Sequence, residues 1–203
     1  MAYIHTQTDS DPGSKTSQMF ERAVAGYGYL PNMVKAFSYR PEVMEAWNGL
    51  LGSIKSGMDM RRYELVTMAA AKELRSSYCM LAHGSVLLHG HFTAPELQAV
   101  VEEADGSPLD ERDRAIMQFA AKVVHDATSI TAKDVDVLRG HHLSDPEIFD
   151  IVAAAAVRCF FSKTLDALGV RPDGAYHEIE PKLKRALVVG RDIDTGYDMA
   201  RSG

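Results

Sequence analysis

Two side chains near the middle of the chain have the types and the spacing for thiol chemistry. Cys79 and His83 are four residues apart, so on one helix they share a face, and the imidazole could accept the thiol proton. Ser76 and Ser77 precede them and are good helix caps, which would place Cys79 in the first helical turn. The backbone N–H groups and the helix dipole at that position favour a thiolate. The sequence therefore predicts a reactive sulfur at Cys79.

Glu64 is the acid that could support this pair. It lies on the preceding predicted helix, so only an antiparallel return of the chain would bring its carboxylate to His83. Such a carboxylate would orient the imidazole and raise its basicity, as in many thiol enzymes. The spacing alone leaves that meeting open. Glu73 is a weaker candidate, because it lies just before the predicted break between the helices and such an acid is more often solvated.

The remaining candidates are weaker on their own. Tyr78 and Ser76 flank the sulfur and could hydrogen bond to a bound substrate, although a wall residue and a helix cap explain them equally well. Cys159 is the only other cysteine and lies in an apolar stretch, so we predict a packing role for it. The eight histidines do not form a closed set at zinc-site spacing. We therefore predict no metal site.

The elements that position these residues are predicted to be helices. Strand signals are nearly absent, apolar residues recur at helical spacing, and several segments begin with proline. The fold class is therefore all-α, a bundle of about nine or ten helices. The predicted helices span residues 17–26, 31–38, 41–56, 60–75, 78–90, 95–104, 110–126, 131–140, 145–168 and 179–188.

We expect one helical domain over residues 16–175. It is preceded by an N-terminal tail, residues 1–15, and followed by a C-terminal extension, residues 176–203. The tail and the residues after about Asp192 look polar and without a packing face, so they could dock onto another subunit.

Bulk properties restrict the classes of function. The chain has 203 residues, of which 46% are hydrophobic and 25% charged, as in ordinary globular proteins. Its net charge is −6 and its basic residues are scattered, so nucleic acid is not an expected partner. The longest apolar run, residues 151–157, is too short to cross a bilayer, and no basic, apolar signal sequence begins the chain. We expect a cytoplasmic protein without a membrane partner.

The residues around the Cys–His pair resemble a known family. Glu64, followed by Ser76-Ser-Tyr-Cys-Met-Leu-Ala-His83, resembles the Glu…Cys-x-x-Cys-x-x-x-His signature of the AhpD-like branch of the carboxymuconolactone decarboxylase superfamily. Ser76 stands in place of the first cysteine of that signature. The resemblance covers about residues 20–175 and is closest to the peroxidase-related members. It continues in residues 28–32, 41–42, 109–123, 134–139 and 143–152.

The resemblance implies an all-helical bundle that assembles into dimers, trimers or hexamers and reduces peroxides with a thiol, without a cofactor. On that model Cys79 attacks the peroxide oxygen, His83 takes the thiol proton and Glu64 supports the relay. A second thiol must then resolve the sulfenic acid. Because Ser76 cannot form the resolving disulfide, we expect a single-cysteine variant that uses an external thiol reductant and a small-molecule substrate, a hydroperoxide or a small metabolite.

Two other functions remain open on the same fold. A cofactor-free decarboxylase or isomerase of the carboxymuconolactone decarboxylase type would use His83 as its acid or base, with Cys79 a bystander. The lack of a dense basic pocket near the motif disfavours an anionic substrate, although Arg61, Arg62 and Arg75 are close in sequence. A non-catalytic oligomeric binding protein is the second alternative.

Overall fold

The computed structural model describes residues 2–196, and this part of the chain contains ten α-helices, two short 3-10 helices and no strand. The all-α prediction is confirmed, and the helix boundaries fall within a few residues of those predicted. Residues 197–203 of the C-terminal extension lie outside the described residues. The helices are α1 Lys15–Tyr27, α2 Asn32–Ala36, α3 Pro41–Lys55, α4 Met60–Glu73, α5 Ser77–Leu88, α6 Ala94–Val101, α7 Glu111–Asp126, α8 Ala132–Gly140, α9 Asp145–Ala167 and α10 Pro181–Leu187, and the 3-10 helices are Ala127–Ser129 and Gly174–Glu178.

The helix starts follow from local chemistry. Proline lies in the first turn of α3, α6, α9 and α10, where its missing N–H costs nothing. Thr93 with Glu96, and Ser144 with Glu147, form reciprocal capping boxes at α6 and α9. Pro31 differs from the prediction, because it is the residue before α2 rather than its first helical residue.

Helix α4 is the centre of the bundle. Every residue from Tyr63 to Ala71 is buried, so the helix is enclosed on all sides rather than along one face. It packs against α5, α7 and α9. One apolar cluster joins α4 to α1, α2, α5, α6 and α10, and a second joins it to α7, α8 and α9. A residue on α4 can therefore meet side chains from both halves of the chain.

The turn between α4 and α5 reverses the chain direction. Arg75 has a φ of 54°, in the left-handed region, and Ser76 N–H donates to the carbonyl of Ala71 at 2.9 Å. This closes the end of α4 and starts α5 after a very short connection. The two helices are consequently antiparallel neighbours.

Parts of both ends of the described chain pack on the bundle. Tyr3 N–H donates to the carbonyl of Leu168 at 2.7 Å, and Asp194 N–H donates to that of Pro172 at 2.8 Å. Ile193 is buried, so the expectation that the residues after about Asp192 lack a packing face is wrong at that position. Within residues 2–196, no helix is both long enough and apolar enough to span a membrane.

Candidate active site

A cavity of about 940 Å³ lies between α1, α3, α4, α5 and α9 and reaches all three residues of the predicted relay. Cys79, His83 and Glu64 line its wall together. The size is that of pockets that hold drug-sized ligands, and much of the lining is aromatic. The aromatic lining residues are Tyr27, Tyr29, Trp47, Tyr63, Tyr78, Phe161 and Tyr176.

Cys79 is buried in the first turn of α5, as the sequence predicts. Ser76 is the N-cap residue, but its hydroxyl makes no capping hydrogen bond to the backbone N–H groups of the first turn. The positive end of the helix dipole therefore lies beside Cys79, without a side-chain cap from Ser76. Two donors from α9 contact the sulfur. Ser162 Oγ lies 3.1 Å from Sγ, and Arg158 Nη1 lies 3.8 Å from it.

His83 and Glu64 form the pair that the spacing alone could not establish. His83 Nδ1 lies 2.5 Å from Glu64 Oε2, because the antiparallel return at the α4–α5 turn brings the two side chains together. A carboxylate only accepts, so Nδ1 carries the proton and Nε2 is the basic nitrogen. Burial lowers the pKa of His83 below its ordinary 6.5, the nearby Arg158 lowers it further, and the Glu64 hydrogen bond opposes both. The ring is therefore neutral at pH 7 and can take a proton.

Cys79 and His83 line the same cavity, but they are not hydrogen-bonded to each other in the described part of the chain. Within the described part of the chain, the hydrogen bonds to Sγ come from α9 and not from the imidazole. A proton moving between the sulfur and Nε2 would therefore pass through a substrate or a water in the cavity.

Arg158, Ser162 and Tyr63 are site residues that the sequence analysis missed. Arg158 is 1% exposed, and its Nη2 donates to Tyr63 Oη at 3.1 Å. The available signal was a charged residue in the apolar stretch 151–161, followed four residues later by a serine on the same helix face. A cation is thus present beside the motif although it is remote from it in sequence.

The two residues predicted to bind substrate have different surroundings. Tyr78 lines the cavity, but its hydroxyl donates to Asp173 Oδ2 and accepts from Met33 N–H at 3.2 Å. Burial, and then the charge of Asp173, raise the pKa of Tyr78 well above its ordinary value. Ser76 is fully buried and does not line the cavity. A role in substrate binding stays a prediction for both residues.

Cys159 lies on α9 outside the cavity lining and is half-buried, and its thiol contacts the carbonyl of Ala155 in its own helix. These surroundings suit the predicted packing role. Among residues 2–196, no group of three or more histidine, cysteine, aspartate or glutamate side chains is arranged to hold a metal ion.

A family model matches the segment that carries the site. Residues 41–105 match the model of the Carboxymuconolactone decarboxylase family, and this stretch contains Glu64, Cys79 and His83. The match confirms the resemblance to the carboxymuconolactone decarboxylase superfamily over these residues. No curated protein matches the sequence significantly.

Solved structures with the same fold are similar over most of their length. An uncharacterized peroxidase-related protein from Ralstonia eutropha JMP134, described as an alkylhydroperoxidase AhpD core, has a TM-score of 0.76 and 20% identity, covering 86% of this chain and 94% of that one. An uncharacterized peroxidase-related protein from Silicibacter sp. TM1040 has a TM-score of 0.75 and 23% identity, covering 87% and 94%. The debrominase Bmp8 has a TM-score of 0.71 and 17% identity, covering 89% and 96%. At these identities the likeness shows the fold.

Proposed function

We propose that the protein is a thiol-dependent peroxidase of the alkylhydroperoxidase-like type, with Cys79 as its reacting thiol. The observation that carries the proposal is the Glu64–His83 pair, which shares one cavity wall with Cys79. This arrangement supplies a nucleophile, a base and an orienting acid around a space that admits a substrate. The family match over the same residues and the peroxidase-related neighbours support it.

In the first half-reaction the sulfur of Cys79 attacks the terminal oxygen of a hydroperoxide. An S–O bond forms, the O–O bond breaks and an alkoxide leaves. His83 Nε2 receives the thiol proton and returns it to the alkoxide, which departs as an alcohol, while Glu64 holds the ring through Nδ1. Cys79 remains as a sulfenic acid.

The second half-reaction needs a thiol from outside the chain. Ser76 has no sulfur, and Cys159 does not line the cavity, so neither is placed to resolve the sulfenic acid there. One external thiol displaces water from the sulfenic sulfur to give a mixed disulfide. A second thiol then exchanges with that disulfide and releases Cys79 together with the oxidised reductant.

The aromatic lining of the cavity favours an organic hydroperoxide over hydrogen peroxide. An organic group buries apolar surface against the flat aromatic walls, whereas a small polar ligand buries almost none. A halogenated aromatic compound is a second candidate electrophile. The debrominase Bmp8 shares the fold, and a cysteine-to-alanine variant of it was solved in complex with 2,3,4-tribromopyrrole. Here two external thiols would supply the electrons, giving the dehalogenated ring, a halide ion, a proton and a disulfide.

One observation favours the decarboxylase or isomerase alternative. The buried guanidinium of Arg158 reaches the cavity wall and could hold the carboxylate of a small metabolite, with His83 as the acid or base. Alkylation of Cys79 separates the two functions. It would abolish a thiol peroxidase and leave a decarboxylase largely intact, whereas His83→Ala would abolish the decarboxylase.

The test is consumption of an organic hydroperoxide with a small dithiol as reductant. We expect the wild-type protein and the matched control Cys159→Ser to be active and Cys79→Ser to be inactive. Activity that survives in Cys79→Ser, or equal loss in both variants, would contradict the proposal. If the wild-type protein turns over neither hydroperoxides nor halogenated pyrroles nor carboxylated metabolites, the non-catalytic alternative is supported instead.

A further inference from the structure

The positive charge of Arg158 is buried without a carboxylate partner. Its side chain is 1% exposed, and within residues 2–196 no aspartate or glutamate forms an ion pair with it. Its side-chain hydrogen bonds go to Tyr63 Oη and Cys79 Sγ, and its Nε has no acceptor. Because a buried cation is unfavourable unless an anion balances it, a negative charge is expected close by.

The sulfur of Cys79 is the group on which the donors converge. Arg158 and Ser162 are four residues apart on α9, so they present their side chains to the same neighbour, and both contact Sγ. A neutral thiol is a weak acceptor and gives two donors little reason to meet on it, whereas a thiolate accepts both.

The other titratable groups around the sulfur do not supply the missing charge. Burial raises the pKa of Tyr63, Tyr78 and Tyr176, so all three phenols stay neutral at pH 7. Glu64 is a buried carboxylate, but its hydrogen bond goes to the neutral His83 and it forms no ion pair with Arg158 within residues 2–196. Lys55 of α3 is a second cation, held over the Tyr63 ring at 4.6 Å, so Arg158 and Lys55 together outweigh the single charge of Glu64.

We propose that Arg158 and Ser162 form a binding site for the negative charge of Cys79, so that the protein at rest holds a thiolate–guanidinium pair. Arg158 then stabilises the charge on the sulfur. The thiol proton leaves for solvent by way of His83 Nε2 before the attack, the same nitrogen delivers a proton from solvent to the departing alkoxide, and Glu64 holds the ring. The inference rests on the proposed function, since it makes this sulfur the nucleophile, but ionisation can be measured without any turnover.

The test uses Cys159→Ser as the parent, so that Cys79 is the only thiol. The rate of Cys79 alkylation by iodoacetamide is followed by mass spectrometry across a pH series, with thiolate ultraviolet absorbance as a readout that needs no reagent access. We expect the parent midpoint to lie below the value of about 8.5 for a free cysteine. Arg158→Met should raise the midpoint by about one pH unit or more, and Arg158→Lys should restore most of the difference.

A parent midpoint at or above about 8.5 would overturn the proposal whatever the variants do. So would an unchanged midpoint in a folded Arg158→Met protein, because a merely structural arginine would not move it. If Arg158→Met does not fold, Ser162→Ala decides, and a midpoint equal to that of the parent overturns the proposal. Absence of peroxidase activity with a lowered midpoint would contradict only the proposed function.

Discussion

At the scale of single residues, the properties of the candidate site come from what each group touches. His83 has lost water and gained Glu64 on one nitrogen, which fixes the tautomer and leaves Nε2 basic. Tyr78 lies in the same cavity wall, but its hydroxyl is committed to Asp173 and Met33. Its hydroxyl is therefore already paired within the protein, and its ring lines the cavity.

The first prediction concerns the pH dependence of stability at His83. Burial, and then Arg158, hold the pKa of the folded state below 6.5, so in the window just below 6.5 the unfolded chain binds a proton that the folded chain does not. The stability from a neutral His83 is complete above pH 6.5 and is lost as the pH falls through the folded pKa. Measured by urea unfolding, the free energy of unfolding of the wild type should decline more steeply across this window than that of His83→Gln. Equal slopes would contradict the prediction.

The second prediction concerns Tyr78→Phe. Removing the hydroxyl leaves Met33 N–H without its acceptor and takes the Tyr78 donor from Asp173 Oδ2, so we expect a loss of about 1–3 kcal/mol in the free energy of unfolding. Tyr27→Phe is the matched control, since Tyr27 lines the same cavity but is exposed. Denaturant unfolding of both variants is the measurement. A large rise in KM without loss of stability would show instead that the Tyr78 hydroxyl binds substrate.

At the scale of helices, the start of α5 is held by the C-terminal segment. Gly190 N–H donates to Ser77 Oγ at 2.8 Å, and a Cβ on Gly190 would lie 2.0 Å from the carbonyl oxygen of Arg75. That carbonyl belongs to the backbone of the α4–α5 turn, whose Arg75 has a positive φ. The segment after α10 therefore fits against the turn that precedes Cys79 only because residue 190 has no side chain.

The third prediction follows from this contact. Gly190→Ala forces the segment away from the turn, and we expect a destabilisation of about 1–3 kcal/mol, as for overpacking in a core. Gly90→Ala is the control, because a Cβ there would meet no atom within 4 Å. Thermal unfolding compares the two, and a melting temperature unchanged in Gly190→Ala would contradict the close packing. Hydroperoxide turnover should fall together with the melting temperature, since Cys79 lies in the first turn of α5, directly after the α4–α5 turn.

At the scale of the whole molecule, α9 carries an apolar face that the bundle does not cover. Phe149 is 70% exposed and Phe160 is 46% exposed. They lie three helical turns apart on one face of the helix, with the exposed Ala156 between them. Single exposed apolar residues are common, whereas contiguous exposed apolar patches mark surfaces that meet another protein.

The fourth prediction is that the protein forms a homo-oligomer through this face. We expect sedimentation to give a mass of a dimer or a larger assembly, and the double variant Phe149→Glu, Phe160→Glu to lower it. Val137→Glu on α8 is the control, because Val137 is 54% exposed and lies on another helix. A wild-type mass of one chain at all concentrations would contradict the prediction, and loss of assembly in the control alone would place the contact on α8.

The sequence by itself determined the helices and the Cys–His pair. Caps, prolines and apolar periodicity act within a few residues, so they could be identified along the chain, and Cys79 and His83 share a face because a single helix imposes it. The tertiary structure decided everything that depends on which helices meet. The α4–α5 turn brings Glu64 to His83, and α9 brings Arg158 to the sulfur across 79 residues of chain. Such contacts follow from how the apolar faces of distant helices pack, which no local pattern records.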